Sequence, residues 1–409
     1  MHRRRTSPGH ASAMTLLYSK IHARRLACLL LAVAYCVAVL HHYLAWRPGF
    51  TRTRASRHAP ASSWPKPDNI TVSGLVFYGR RDRVRTMLCY LERNMVDNGG
   101  WLDEVLWIGN TFDSDDRAYL DEVIASNPRY RMIPVEGEML WVNTYYKAWQ
   151  QLERGKYYVK IDDDILWIED GAIPQLVTRK MNNPNDLVVS GNIINNPPLG
   201  FIHYAIGAVH PYLPEMSPPP QGPKTTWKPS QDPLWSGPDD LSFAVQGEPP
   251  HQGHRWLRLA DDKALHRTPA SKIKWEVWHD SYTSWAIAAQ MHYSLLENIE
   301  NDALHLYKLN KMWDMMGERI RINFICVYAD EVLDTDIGSW PAYKGDEDML
   351  VMELPKQLNR SVTIVSDALA AHFSYTDQQK LGHTDLLERY HVLAQDRACL
   401  NPRPQEDGF

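Results

Sequence analysis

From residue 71 onward, short apolar segments alternate with segments in which apolar residues recur at every third or fourth position. Apolar runs bounded by turn residues are typical of buried strands, and the wider spacing is typical of amphipathic helices. The first half of this region predicts strands at 72–78, 104–108, 130–135 and 157–161, and helices at 84–95, 116–125 and 144–152. Such alternation predicts an α/β fold with a mainly parallel sheet flanked by helices.

The second half of the chain continues this pattern with one interruption. It predicts strands at 187–194, 321–328 and 362–365, and helices at 173–181, 282–297, 302–311 and 349–358. Residues 211–250 are rich in proline, at a density that a sheet strand does not tolerate. We therefore predict a long loop insertion, which in a compact enzyme usually shapes a binding site. The alternative is a disordered excursion without a role.

The first 68 residues have a different character. Residues 1–25 are basic, residues 26–46 are apolar with an aromatic end, and residues 47–68 are rich in Arg, Ser, Pro and Ala. A span of about 20 apolar residues can cross a bilayer, and positive residues before it favour a cytosolic N-terminus. We therefore predict a cytosolic tail, an uncleaved transmembrane anchor and a stem. A cleaved signal peptide is the alternative.

This topology places the folded part on the luminal side of the Golgi or ER membrane. The short span fits a thin, early secretory membrane. Acceptor sequons for N-glycans at 69–71 and 359–361 agree with that location, although such triplets also arise by chance.

Charge and cysteine content argue against two classes of protein. The net charge of the 409 residues is −5, whereas a nucleic-acid-binding protein is expected to be basic. Of the five cysteines, Cys28 and Cys36 lie in the apolar span, and Cys89, Cys326 and Cys399 lack the paired spacing of a zinc site or a disulfide scaffold. We expect at most one disulfide among these three.

Three consecutive carboxylates, Asp162, Asp163 and Asp164, follow a predicted strand and precede a second apolar run. We call them the acid triplet. Unpaired carboxylates are costly inside a sheet, so we expect the triplet at the end of the strand, facing a cleft. A divalent cation with oxygen ligands makes adjacent charges tolerable, which predicts a metal–nucleotide site. The alternative is a solvated acidic turn.

Arg80 and Arg81 follow the first predicted strand, at the edge of the sheet where ligands of open α/β folds bind. They are suited to clamp a diphosphate or to contact a base, and a solvated loop is the alternative. Trp275, Trp278 and Trp285 are suited to form an aromatic platform for a sugar, although core packing is the more common role.

A second acid cluster, Asp346, Glu347 and Asp348, precedes a predicted helix. The helix dipole stabilises carboxylates in a first turn, but a carboxylate at that place over a cleft can also act as a general base. His372 stands alone in an apolar segment, where a buried core histidine is the simplest interpretation.

The order of these signals resembles that of the GT-A glycosyltransferases, which use nucleotide sugars and carry a DxD motif. The likeness covers residues 71–390, and residues 157–168 and 345–374 resemble in particular a group of fungal type II membrane proteins of this class. Residues 160–165 also resemble the triple-Asp motif of the beta-1,3-glycosyltransferases.

The resemblance implies a catalytic domain at 69–396, followed by a short tail at 397–409. It implies that the acid triplet binds Mn²⁺ or Mg²⁺ and a UDP- or GDP-linked sugar, with Asp162, Asp164 and His372 as metal ligands. It also implies that Asp348, in the pair with Glu347, deprotonates a hydroxyl of a glycan or other acceptor in an inverting reaction. The register of this base stays open within residues 346–348.

Two other functions remain open at this stage. One is an inactive luminal carbohydrate-binding module with the same fold, and the other is a metal-dependent phosphohydrolase, which also needs clustered Asp. The intact acid triplet, second acid cluster and late histidine favour the transferase. The donor sugar, the acceptor and the linkage do not follow from the sequence.

Overall fold

The computed structural model of the chain describes residues 64–134, 144–219, 226–309, 312–341 and 343–401, together with Tyr35. The chain divides into two compact units, Met1–Ser56 and Arg57–Phe409. The predicted cytosolic tail, the transmembrane anchor at 26–46 apart from Tyr35, and most of the stem lie outside the described residues. Where the structure does describe the chain, it contains no helix with the length and apolar character that crossing a bilayer requires.

The described strands of the second unit belong to two sheets. They are β1 (Thr71–Tyr78), β2 (Glu104–Gly109), β3 (Tyr130–Met132), β4 (Lys156–Asp162), β5 (Ile165–Ile168), β6 (Asp186–Ile194), β7 (Tyr212–Pro214), β8 (Trp256–Arg258), β9 (Trp313–Asp314), β10 (Phe324–Tyr328) and β11 (Ser361–His372). Strands β7 and β8 form a small antiparallel pair, and the other nine form the main sheet.

Helices connect most of these strands. They are α1 (Arg81–Asn94), α2 (Ser114–Ser126), α3 (Tyr146–Trp149), α4 (Ala172–Asn182), α5 (Pro197–Ala205), α6 (Asp280–Thr283), α7 (Trp285–Glu300), α8 (Ala329–Leu333), α9 (Asp346–Asp348), α10 (Leu354–Leu358) and α11 (Leu386–Arg397). A π-helical turn, Met349–Glu353, joins α9 to α10. The longer 3₁₀ segments are Asp262–Arg267, Leu304–Tyr307 and Thr376–His383.

The main sheet has the strand order β3-β2-β1-β4-β10-β6-β11-β5, and β9 pairs with β11. Strands β1 to β4, β6 and β11 run in one direction, and β5, β9 and β10 run against them. The predicted α/β fold with a mainly parallel sheet is therefore confirmed. Strand β6 is buried along its whole length, as expected for a central strand covered on both faces.

The turn Asp163–Asp164 explains how distant parts of this sheet meet. Strand β4 ends at Asp162 and β5 begins at Ile165, yet β5 pairs with β11 at the far edge, where Ile165 lies opposite His372. Three residue steps span at most about 10 Å. The sheet therefore curls until the carboxyl ends of β4 and β11 are adjacent, and the Phe373 N–H donates to the Asp164 carbonyl at 2.9 Å.

The element boundaries agree with the pattern-based predictions in most places. One prediction was wrong: in the described part of 302–311, a short 3₁₀ turn, Leu304–Tyr307, replaces the expected helix. The strand expected at 362–365 is present and longer than predicted, Ser361–His372. The left-handed backbone of Asp302, with φ 55°, ends the preceding helix and prevents its continuation.

The C-terminal end belongs to the fold as far as Cys399. A disulfide joins Cys89 on α1 to Cys399, with the two Cα atoms 4.4 Å apart. Ala398 and Cys399 are buried, so the folded part passes the boundary predicted at residue 396. Cys326 is a buried free thiol on β10.

The proline-rich segment packs against the body of the fold in its described parts, 211–219 and 226–250. Trp227 and Phe243 are buried, and Gly247 accepts a hydrogen bond from the Trp285 indole at 2.8 Å. Asp232 pairs with Arg389 of α11 at 2.8 Å. None of the described residues of this segment lines the cavity at the carboxyl-end edge of the main sheet.

Candidate active site

A cavity of about 700 Å³ opens at the carboxyl-end edge of the main sheet. The strand ends at Tyr78, Asp162 and His372 meet there, together with the segment that leads into the antiparallel strand β10. Its lining includes Phe77, Gly79, Arg80, Asn110, Thr111, Lys160, the acid triplet, Trp278, Tyr282, Arg319, Arg321, Asn323, the second acid cluster, His372 and Tyr375. The two acid groups predicted from the sequence therefore lie on the walls of one cavity.

Asp162, Asp164 and His372 form a group that can hold a metal ion. One potential ligand atom from each lies within 4.8 Å of the others. Oδ1 of Asp164 lies 3.2 Å from Nε2 of His372. That oxygen is buried, and apart from this contact it has no hydrogen-bond partner among the described residues. A buried carboxylate oxygen needs further partners, which a cation bound between the carboxylates and the imidazole would supply.

Neighbouring polar side chains hold Asp162 in place at the end of β4. Its Oδ2 accepts a hydrogen bond from the Asn323 amide at 2.9 Å, and its Oδ1 pairs with the Lys160 ammonium. The Tyr375 hydroxyl in turn donates to the Asn323 side-chain oxygen at 3.0 Å. Residues that position metal ligands in this way restrict the geometry of the site. The sequence analysis did not identify Asn323 or Tyr375.

Three basic side chains surround Asp164. Arg83 donates to its Oδ2 at 3.0 Å, Arg80 lies 3.2 Å from the same oxygen, and Nε2 of His372 lies 3.2 Å from its Oδ1. Burial opposes ionisation of this carboxyl, but His372 and the two guanidinium groups outweigh it and hold its pKa well below the usual range. Asp164 is therefore ionised in the folded chain. Arg83 lies three residues beyond Arg80 along the start of α1, a spacing that signals a shared helix face.

Asp163 has a different environment from its neighbours in the triplet. Its Oδ2 accepts hydrogen bonds from the Gly79 N–H at 2.8 Å and from Arg80 Nε at 3.2 Å. A Cβ atom at position 79 would lie 3.3 Å from this oxygen, so glycine allows the close approach. Asp163 thus connects the β4–β5 turn to the loop after β1.

Arg81 lies apart from the site. Its guanidinium pairs with Asp115 at 3.1 Å and lies 3.9 Å from Asp116, both on α2, and it does not line the cavity. Because α1 begins at Arg81, consecutive residues point in different directions, so Arg80 faces the triplet and Arg81 faces away. The sequence-based assignment of Arg81 to donor binding is therefore not supported by its position.

The second acid cluster lines the same cavity as the acid triplet. Glu347 Oε1 accepts from Arg319 at 2.7 Å and from Arg321 at 2.8 Å, and Asp348 pairs with Arg319. Asp346 is buried, and its Oδ2 accepts a hydrogen bond from the Trp149 indole at 3.0 Å. The Asp348 side chain is 32% exposed, more than that of Glu347 at 20%. Asp348 is thus the most accessible carboxylate of the three.

The three acids also differ in proton affinity. Burial raises the pKa of Asp346 above the usual range for Asp. Burial acts in the same direction on Asp348, but the hydrogen bond and charge of Arg319 outweigh it and hold the pKa of Asp348 below that range. Asp348 is therefore a carboxylate at neutral pH.

A row of packed rings and guanidinium groups connects His372 to the second acid cluster. The Tyr375 ring lies 4.3 Å from the His372 ring and 4.6 Å from the Tyr282 ring, between centroids. Arg321 lies 3.7 Å from the ring centroid of Trp278 and 4.3 Å from that of Tyr282. The sequence analysis missed Arg319 and Arg321 because they lie in an irregular segment before β10, which carries no motif.

Of the three tryptophans considered for a sugar platform, the structure brings only Trp278 to the cavity. Trp285 is buried, and Trp275 stacks on Tyr204 at 5.8 Å between ring centroids. Trp278 is 56% exposed. Core packing therefore accounts for Trp285, and packing against α5 accounts for Trp275.

No protein-family model matches the chain, and no curated protein matches it. The solved structures with remote similarity to the chain include the following three. The chain is 7% identical to a 4-diphosphocytidyl-2C-methyl-D-erythritol synthase from Anaerococcus prevotii, with a TM-score of 0.33 over 80% of this chain and 97% of that one. It is 10% identical to GalNAc-T7 with UDP, GalNAc and Mn²⁺, with a TM-score of 0.37 over 76% of this chain and 44% of that one.

The third is glucosyl-3-phosphoglycerate synthase from Mycobacterium tuberculosis with Mn²⁺, UDP and phosphoglyceric acid. The chain is 16% identical to it, with a TM-score of 0.24 over 32% of this chain and 50% of that one. At such identities and TM-scores, these structures assign no family to the chain. The function of the chain therefore has to be inferred from the geometry of its own site.

Proposed function

We propose that the chain is a metal-dependent glycosyltransferase of the GT-A type, which moves a sugar from a UDP- or GDP-linked donor to an acceptor hydroxyl with inversion. One observation carries this proposal. Asp162, Asp164 and His372 converge in a cavity that is also lined by an accessible carboxylate, Asp348. A metal–diphosphate site facing a general base is the arrangement that this reaction needs.

The donor set suits Mn²⁺ better than Mg²⁺. Asp162 and Asp164 supply carboxylate oxygens and His372 supplies an imidazole nitrogen, whereas Mg²⁺ is bound mainly through oxygen. When bound, the cation neutralises charge on the leaving diphosphate.

Arg80 is the residue best placed to contact the diphosphate directly. Its side chain is 44% exposed, whereas that of Arg83 is 14% exposed and is committed to Asp164. Nε and Nη2 of Arg80 pair with Asp163, so we assign its Nη1 to a charge-assisted hydrogen bond with a phosphate oxygen. We assign Arg80 to the donor diphosphate and Arg83 to the positioning of Asp164.

Asp348 is the proposed general base. Its carboxylate accepts the proton of the acceptor hydroxyl while that oxygen forms a bond to the anomeric carbon. The bond from the anomeric carbon to the diphosphate oxygen breaks, and its electron pair leaves with the nucleoside diphosphate. Attack from the side opposite the leaving group inverts the anomeric centre. Glu347 is less available for this role because two guanidinium groups bind its Oε1.

We further propose that the folded unit works in the lumen of the secretory pathway, as a type II membrane protein. The Cys89–Cys399 disulfide supports this location because such bonds persist in oxidising compartments. The asparagines of both sequons, Asn69 and Asn359, are exposed. The predicted anchor at 26–46 supplies the topology.

The test uses the purified full-length chain with Mn²⁺ and a panel of UDP- and GDP-sugars. Thermal stability is measured for each nucleotide, and release of the nucleoside diphosphate is measured with and without a mixture of glycan acceptors. We expect a Mn²⁺-dependent rise in stability with one nucleotide and release that acceptors accelerate. Release that acceptors leave unchanged would indicate a hydrolase. A chain that binds glycans and releases no nucleotide would be a binding module.

A further inference from the structure

We propose that the acceptor is a neutral sugar whose ring stacks on Trp278. This inference rests on the proposed transferase activity and extends it by naming the chemical class of the second substrate. Trp278 lines the cavity and is 56% exposed, so a broad aromatic surface is open to a ligand. An indole suits the apolar C–H face of a sugar, whose hydroxyls at the ring edge stay available for polar contacts.

The indole of Trp278 is held by its neighbours. The guanidinium of Arg321 lies 3.7 Å from its ring centroid, and the Tyr282 ring packs edge-on at 5.6 Å. Arg321 itself is fixed, because it donates to Glu347 at 2.8 Å and stacks on Tyr282. A surface that is ordered before binding loses little conformational entropy when a ligand stacks on it.

Arg319 places this surface beside the proposed base. Its guanidinium lies 5.1 Å from the Trp278 ring centroid, and it also pairs with Asp348. Trp278 and the proposed base therefore share one neighbouring guanidinium, which places acceptor binding on the indole in the same part of the cavity as the carboxylate that we assign to the hydroxyl proton.

The charges around Trp278 favour a neutral ligand. Arg319 and Arg321 both pair with carboxylates of the second acid cluster, so an anionic acceptor would have to compete with Glu347 and Asp348 for them. A lipid chain would need a continuous apolar groove, whereas the neighbours of this indole are charged or hydroxylated.

The test measures saturation-transfer NMR from the full-length chain, with Mn²⁺ and UDP or GDP present, to defined probes. The probes are the methyl glycosides of glucose, galactose, mannose and N-acetylglucosamine, methyl glucuronide, and a serine-containing peptide. We expect transfer to ring C–H protons of at least one neutral glycoside and none to the glucuronide or the peptide. Trp278→Ala should raise the dissociation constant of that glycoside by about tenfold or more, and Trp278→Phe by less.

Trp64→Ala is the matched control, because Trp64 is 48% exposed and does not line the cavity. This variant should bind the glycoside as the parent chain does. Transfer that Trp278→Ala leaves unchanged, transfer only to the glucuronide or the peptide, or no transfer to any neutral glycoside would overturn the inference. The Mn²⁺-dependent nucleotide stabilisation is recorded for every variant. If this stabilisation is absent from the parent chain, the transferase proposal itself is contradicted. If it is present and the glycosides do not bind as expected, only the assignment of the acceptor is contradicted.

Discussion

Oδ1 of Asp164 lies 3.2 Å from Nε2 of His372, although one residue follows β4 and the other ends β11. Both side chains are buried, at 2% and 4% exposure. Two strands that are separated in the sheet by β10 and β6 thus bring their last polar groups to one point. The arrangement can be tested by replacing the proposed metal ligands, the proposed general base and the arginines that contact them.

Replacing a proposed ligand should remove the metal-dependent stabilisation by nucleotide. In the parent chain, a nucleotide at 100 times its dissociation constant should add about 2.7 kcal/mol in the presence of Mn²⁺. Asp164→Asn and His372→Gln should each abolish this increment, as measured by thermal unfolding with and without Mn²⁺. Asp164→Asn should also lower the basal stability, because Arg80 and Arg83 lose a buried counter-charge.

Asp367→Asn is the control for the ligand variants, since Asp367 is an exposed residue on the same strand as His372. It should keep the full increment. An increment that survives in both ligand variants would contradict the metal assignment. If Asp367→Asn also loses the increment, the cause is damage to strand β11 and not the loss of a metal ligand.

Replacing the proposed base should lower turnover and leave donor binding intact. Asp348→Asn is expected to reduce kcat by a factor of about 10² or more, because the amide cannot accept the hydroxyl proton. The affinity for nucleotide, measured by the Mn²⁺-dependent stability increment, should be nearly unchanged. Glu347→Gln should have the smaller effect on kcat. The reverse order of the two losses would assign the base to Glu347.

The pH dependence of turnover should depend on Arg319. Its hydrogen bond and charge, which outweigh burial, hold the pKa of Asp348 below the usual value. A base with a lowered pKa stays ionised as the pH falls, so kcat/KM should persist through about pH 4, where an ordinary Asp protonates. Arg319→Met should move this acid limb to higher pH, and Arg319→Lys should move it less. If kcat/KM falls at the same acidic pH in the parent chain and in both variants, Arg319 does not control the proton transfer.

Local pattern was enough to predict most of the parallel half of the sheet and the place of the acid triplet. Strands β1, β2, β4 and β6 are apolar runs between turn residues, and the cost of burying charge puts the triplet at the end of β4. The pairing of β5 with β11 did not follow, because pairing between distant strands leaves no local period. From its sequence neighbours alone, His372 was therefore interpreted as a core residue. Only the family resemblance suggested that it is a metal ligand.

The remaining site residues were invisible for a related reason. Arg319, Arg321 and Asn323 precede β10 in an irregular segment, and their roles come from the carboxylates and rings that the fold brings to them. Conversely, Arg80 and Arg81 look equivalent in the sequence, and only the start of α1 separates them. A residue type suggests a role, but its direction depends on the element that carries it.

The contrast between these two arginines gives a matched pair of variants. Arg80→Ala should weaken nucleotide binding by about tenfold or more, because a charge-assisted hydrogen bond contributes about 1.5–3 kcal/mol. Arg81→Ala should leave nucleotide binding unchanged, since Arg81 faces Asp115 and Asp116 on α2. Binding is measured by titration of the stability increment with Mn²⁺ held constant. Equal losses in the two variants would refute the assignment of Arg80.

Reduction of the Cys89–Cys399 disulfide should destabilise the folded unit. The bond connects α1 to the end of the fold across a sequence separation of 310, so its removal frees a very long loop in the unfolded chain. We expect denaturant unfolding to show a loss of about 2–4 kcal/mol on addition of dithiothreitol. The double variant Cys89→Ala/Cys399→Ala should show a similar loss without reductant and no further change with it.

Because neither cysteine lines the cavity, the nucleotide increment should persist in the double variant wherever it remains folded. Sensitivity of the double variant to reductant would mean that another disulfide forms, and an unchanged stability of the reduced parent chain would show that this bond does not support the fold.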